Sequence, residues 1–159
     1  MKANAIKKAL LPMLLLGAVG LSSTANALQL MSVPGIKGDA TIEGYLDWIV
    51  IENVQAGVEE GLCSDVTVTK HQDSASLMLI RAASTGETFD KIEIVQLSTG
   101  ADKAEETLRV TLSPVRISSL SLSSGGGPLS ESLSLDSASL IFNDGSPGEV
   151  IIPCGRLRK

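Results

Sequence analysis

The chain has 159 residues, 18 acidic side chains against 13 basic ones, a net charge of −5 and a single histidine. That balance argues against a nucleic-acid or anionic-lipid surface as its principal partner. Hydrophobic residues make up 43% of the chain but aromatic ones only 3%, so the core must be aliphatic, and the length suits one domain.

The first segment does not read as fold. Lys2, Lys7 and Lys8 precede an apolar run from Ala9 to Leu21, and Ala25-Asn26-Ala27 supplies the small residues of a cleavage site. A basic start, an apolar middle and an A-x-A end predict a secretory signal peptide over 1–27, cut after Ala27. The run is shorter than the roughly 20 residues of a membrane span. The residue directly after the cut is Leu28 rather than a cysteine, which argues against a lipoprotein. The expected domain is 28–159, and loss of the three lysines moves its net charge from −5 to about −8. No later apolar stretch is long enough to cross a bilayer. The mature chain is therefore expected in the periplasm or outside the cell, free of membrane after cleavage.

Strand signals recur from Tyr45 onward. "YLDWIVIENV" (45–54) sets Leu46, Trp48, Val50 and Val54 on one face and Ile49 and Ile51 on the other, which predicts neighbours on both sides. "SDVTVTK" (64–70) alternates cleanly. Within 68–89 the pattern turns helical: Asp73 or Ser74 can cap a start, and Ala75, Met78, Leu79 and Ala82 form one apolar face. Gly86 can adopt the left-handed conformation that stops a helix. "DKIEIVQLS" (90–98) has Ile92 and Ile94 in one phase, then Val95 and Leu97 in the other. "TLRVTLS" (107–113) alternates most clearly, and 98–106 between these strands reads as a polar hairpin loop.

Pro114 has no N–H for a ladder, so it belongs at an edge, bend or bulge. "VRISSLSLSS" (115–124) changes phase from Val115 and Ile117 to Leu120 and Leu122. "ESLSLDSASLIF" (131–142) shifts from Leu133 and Leu135 to Ala138, Leu140 and Phe142. A period of two cannot change phase without an extra residue, so each shift predicts a bulge or strong bend. Long strands that bend in this way suit a small barrel. "SSGGGPLS" (123–130) reads as a hairpin tip, since no lysine or helix start follows to make it a phosphate loop. "NDGSPG" (143–148) is a turn before a last short strand, "EVIIP" (149–153).

Cys63 and Cys154 remain in the exported part, and an oxidising compartment favours a disulfide between them. Its closed loop of about 90 residues would contribute on the order of 4 kcal/mol if chain entropy dominates. Two buried thiols are the alternative reading. Their spacing fits no zinc motif, and with one histidine no metal or other cofactor is expected. His71 is the one imidazole, no Gly-x-Ser-x-Gly elbow surrounds any serine, and the pairs Glu59–Glu60 and Glu105–Glu106 read as solvated loop charge. No catalytic site is expected.

Taken in order, these pieces resemble the haemolysin-coregulated protein (Hcp) family of type VI secretion systems. The likeness starts in "VPGIKGDATIEGYLDWIVIENVQAG" (33–57). It continues through "VTVTKHQDSASLMLIRAASTGETFDKIEI" (66–94), similar to the family's strand-to-helix passage "F-x-x-T-K-x-x-D-x-A-S-x-x-L". It closes with "LRVTLSPVRISSLSLSSGGGPLSESLSLDSASLIF" (108–142). The resemblance implies a mainly β fold, a small barrel of two packed antiparallel sheets with one side helix. It also implies a non-enzymatic structural role: six copies closing into a ring, with rings stacking into a tube that carries effector proteins in its lumen.

The leader, the cysteine pair and the tail "GEVIIPCGRLRK" (148–159) depart from the family pattern, whose typical members assemble in the cytoplasm. The leading expectation is an exported Hcp-like ring former, with Ile49 and Ile51 as the apolar face left for the neighbouring copy. Two other readings stay open. One is a type VI tube or effector-carrier subunit whose true start is near Met31; the other is a secreted hydrolase on the same barrel.

Overall fold

The computed structural model of the chain describes residues 26–99 and 104–155. The order is β1 (Asn26–Ser32), β2 (Ile49–Ile51), β3 (Asn53–Gln55), β4 (Val58–Glu59), β5 (Leu62–Cys63) and β6 (Val66–His71). There follow α1 (Ser76–Thr85), β7 (Thr88–Phe89), β8 (Ile92–Thr99), β9 (Ala104–Leu112) and β10 (Val115–Ser123). The chain then runs through β11 (Ser130–Ser137), β12 (Ser139–Asn143) and β13 (Val150–Pro153). One sheet has six strands in the order β13-β12-β9-β8-β1-β2, and the other five, β3-β6-β11-β10-β7. The hairpin β4–β5 forms a small sheet of its own. The fold is thus mainly β, in packed antiparallel sheets with one short helix. Strands turn from one sheet into the other at corners, as in the expected barrel, but among the described residues the hydrogen-bonded ladder does not close and each sheet keeps two edges.

Those corners fall where the sequence changes phase. β9 and β12 lie in the first sheet, while β10 and β11 lie in the second. Pro114 and Ala138 sit at the two crossings, and the Ala138 N–H donates to the Pro114 carbonyl at 3.0 Å. A residue without an N–H costs nothing there, since its neighbours leave the ladder at that point. The phase change inside β10 is a bulge: Ile117 faces Leu135 but Ser119 faces Ser134, so Ser118 is the extra residue. A similar register shift falls between Gln96 and Leu97 of β8. β8 and β9 pair out to Thr99 and Ala104, so the tip of the expected 98–106 loop lies outside the described residues.

The expected strand 45–54 is divided. Asp47 has φ 64, and this left-handed residue turns the chain so that pairing starts only at Ile49. β2 then ends at Ile51 and β3 continues in the other sheet. Between the sheets lies the main core, with Met31, Ile49, Ile51, Val68, Ile94 and Leu133 among its fully or nearly fully buried members. Ile49 and Ile51 therefore face inward, and the expectation that they form a free face for a second copy is corrected. The exposed member of β2 is Val50.

The helix closes one side of this core with Ala75, Ser76, Leu79 and Ala82 buried, whereas Met78 of the expected apolar face is exposed. Gly86 ends it in the left-handed conformation (φ 66, ψ 30), its N–H bonded to the Ala82 carbonyl. At the start, Ala75 takes the formal cap position with no side-chain bond of its own, and of the two expected caps Asp73 is the one whose side chain meets a free N–H. Asp73 Oδ1 accepts the Ala75 N–H at 2.9 Å, and Ser74 Oγ donates to Asp39 at 2.6 Å.

Candidate functional site

The second apolar face of the six-stranded sheet is covered by the chain itself. Leu30, Val95 and Leu97 are buried on it together with Ala40, against Ile42, Tyr45 and Trp48. Those covering residues belong to 37–48, a segment that curls on itself: Gly38 N–H reaches Asp47 O at 2.8 Å and Ala40 N–H reaches Trp48 O at 2.9 Å. A Cβ at Gly38 would lie 2.5 Å from Ile49 Cα, so this approach requires glycine. The two-sided apolarity of β8 is therefore satisfied within one subunit.

Arg109 on β9 fastens that cover. Its Nε and Nη2 reach the two Glu106 oxygens at 2.9 and 2.7 Å, and Nη1 reaches Glu93 at 2.9 Å. The Tyr45 hydroxyl donates to Glu106 Oε2 at 2.6 Å, and the guanidinium lies 6.0 Å from the Trp48 ring centre. Hydrogen bonds from Arg109 hold the Glu106 carboxyl below its usual range, against the opposing effect of burial. Burial, and then Glu106, raises the Tyr45 phenol above its usual value.

A second polar cluster sits where β6 gives way to α1. Lys70 is fully buried, and its ammonium donates to His71 O (2.7 Å), Asp73 Oδ1 (2.7 Å), Glu131 Oε2 (2.8 Å) and Ser76 Oγ (3.2 Å). A buried ammonium is tolerated only when its donors are met and its charge is opposed. This cluster does both. It ties the strand, the turn, the helix start and β11 together. Lys70, Asp73 and Ser76 are the polar letters of the "T-K-x-x-D-x-A-S" passage, so sequence found these residues but not the contact of Lys70 with Glu131.

Beside the cluster, His71 Nε2 meets Glu52 Oε1 at 2.8 Å, and Nδ1 lies 3.5 Å from Ser130 Oγ. The hydroxyl stands outside the 2.6–3.2 Å range in which a base takes a proton, and His71 is half exposed. Glu52 orients the imidazole, and the Ser130 hydroxyl stands at the far limit of hydrogen-bond reach. Among the described residues no three His, Cys, Asp or Glu side chains converge as a metal site.

Cys63 and Cys154 are bonded as a disulfide across 91 residues, with Cα atoms 4.6 Å apart. The bond joins the β4–β5 hairpin to the end of β13. Of the expected cleavage residues, Ala25 lies outside the described residues, and Ala27 lies in β1 opposite Ser98.

Residues 30–144 match the model of a family described as type VI secretion system effector, Hcp. This chain belongs to the Hcp family. No curated protein matches it in sequence. Among solved structures, Hcp1 from Salmonella typhimurium is similar with a TM-score of 0.71 at 16% identity, covering 79% of this chain and 91% of that one. The secreted protein Hcp3 from Pseudomonas aeruginosa is similar with a TM-score of 0.67 at 19% identity, covering 82% and 97%. A mutant Hcp1 protein from an E. coli EAEC pathovar is similar with a TM-score of 0.69 at 15% identity, covering 80% and 97%. At such identities these likenesses establish the Hcp fold. The Hcp family consists of structural tube proteins of type VI secretion, and its members are secreted. No helix among the described residues is long and apolar enough to cross a membrane.

Proposed function

We propose that the chain is an exported, non-enzymatic Hcp protein that loses residues 1–27 and assembles into homo-oligomeric rings, six copies to a ring. The observation that carries the export reading is the Cys63–Cys154 bond, because structural disulfides persist in oxidising compartments and are rare in the cytosol. The basic, apolar and small-residue pattern of 1–27 supports the same reading. Ring closure follows from head-to-tail contacts between identical subunits. The edges available for them are β13 and β2 in one sheet and β3 and β7 in the other. Stacked rings would form a lumen for effector proteins.

The alternative, a cytoplasmic tube subunit starting near Met31, carries a structural cost. Such a start would delete Asn26 to Leu30, five of the seven residues of β1, which pairs with β8 along its whole length. It would also remove Leu30, fully buried beneath the 37–48 segment. Losing a buried leucine side chain alone costs about 2–5 kcal/mol. A start at Leu28 keeps Leu30 and most of the strand.

The test is Edman sequencing of the protein purified from its native host, together with fractionation of the cells. Leu28 at the N-terminus of a periplasmic or secreted protein is the expected result. Met1 or Met31 on a cytosolic protein would overturn the export reading.

A further inference from the structure

We propose that the Cys63–Cys154 bond is a redox latch, which fixes the β4–β5 hairpin and strand β13 to each other as one surface. Its reduction frees those two elements while the two-sheet body stays folded. The proposal begins from how weakly each element is otherwise held. The hairpin pairs only with itself, and an isolated two-stranded hairpin is at best marginally stable in water. Its base is closed by the Ser64 N–H to the Gly57 carbonyl at 2.9 Å. Its tip needs positive φ at both Glu60 (52°) and Gly61 (81°), which is unfavourable for glutamate. β13 is an edge strand whose one ladder runs to β12. Neither element contributes a fully buried side chain to the main core, where Cys63 and Cys154 are themselves only partly buried.

The two elements also carry Val58, Leu62, Val150 and Ile151, each at least half exposed. The bond holds the two elements that carry these side chains beside each other. Cys63 lies within the family match of 30–144, whereas β13 and Cys154 lie beyond it. The latch thus joins a residue inside the matched range to a strand beyond it.

The chemistry is ordinary thiol–disulfide exchange. Two thiols lose two protons and two electrons, and one S–S bond forms. A disulfide-carrying oxidant takes up the electrons and is reduced to two thiols. In a reducing compartment the reverse holds, and the hairpin and β13 move independently. Resting on the ring reading, the further consequence is that a chain still in the cytosol presents no fixed hairpin–β13 surface. Assembly would then wait until export has allowed oxidation.

Hydrogen exchange read by mass spectrometry tests this on the mature chain, oxidised, reduced with dithiothreitol, and as the Cys63→Ser/Cys154→Ser variant. Exchange over 57–64 and 149–154 should rise by about tenfold or more in the two unbonded forms, while β8 and β11 keep their protection. Light scattering on the same samples should show the assembly dissociating on reduction and re-forming on reoxidation. Equal protection of the hairpin and β13 in all three samples would overturn the latch, as would uniform loss of protection across the whole chain. A monomer in every state, with hairpin protection still following the bond, would uphold the latch and overturn the ring reading alone.

Discussion

Lys70 Nζ lies 2.8 Å from Glu131 Oε2, and neither side chain reaches solvent. The pair joins β6 to β11 inside the second sheet, and the same ammonium holds Asp73 and Ser76 at the helix start. Removing one partner of a buried pair strands the other charge, which costs about 3–5 kcal/mol. Lys70→Met should therefore lower the urea midpoint sharply. Lys70→Met combined with Glu131→Leu should recover more than half of that loss, because no uncompensated glutamate remains. A double variant as unstable as the single one would contradict this account of the cluster.

Ile49 and Val50 make a sharper pair of substitutions. Ile49 is fully buried whereas Val50 is 42% exposed. Ile49→Lys places an ammonium in the aliphatic core and should abolish the native β signal in circular dichroism. Val50→Lys should change stability by no more than about 0.5 kcal/mol.

The Glu106 carboxyl, held low chiefly by Arg109, makes a contribution to stability that depends on pH. A folded carboxyl below its unfolded value, near 4.5, stabilises above that pH and ceases to do so as pH falls through the folded value. The stability gap between the natural protein and Glu106→Gln should be widest near neutrality and close in acid. Tyr45 has the opposite sense. Its raised phenol stabilises below the ordinary value of 10.0, and that contribution disappears as pH rises through the folded value. Tyr45→Phe should remove the alkaline part of the profile. Thermal melts across the pH range check both.

Glu60 occupies a left-handed turn position (φ 52) at the β4–β5 tip, a conformation that asparagine enters with less penalty. Glu60→Asn should slow hydrogen exchange across 57–64 by a few-fold, with the rest of the chain unaffected. Faster exchange there would contradict the assignment of strain to this residue.

The phase changes at Ile117–Leu120 and Leu135–Ala138 were legible because a period of two leaves no way to shift faces silently. Both mark real structure: a bulge in β10 and a corner between β11 and β12. The division of 45–54 was not legible, since it depends on the left-handed Asp47 and on 37–48 folding back across the sheet. The same cover explains why Val95 and Leu97, in the opposite phase to Ile92 and Ile94, are buried without a second subunit. The disulfide followed from compartment and cysteine count. Sequence spacing carries no sign that Glu131 would meet Lys70 across 61 residues, or that Glu52 and Ser130 would flank His71.

Native mass spectrometry of the protein recovered, unreduced, from its own host tests the central claim most directly, because one spectrum reports stoichiometry, start site and bond. The account predicts six copies of a chain beginning at Leu28, each two hydrogens lighter than its fully reduced form. A monomer at high micromolar concentration, or a subunit beginning at Met31 with both thiols free, would contradict it.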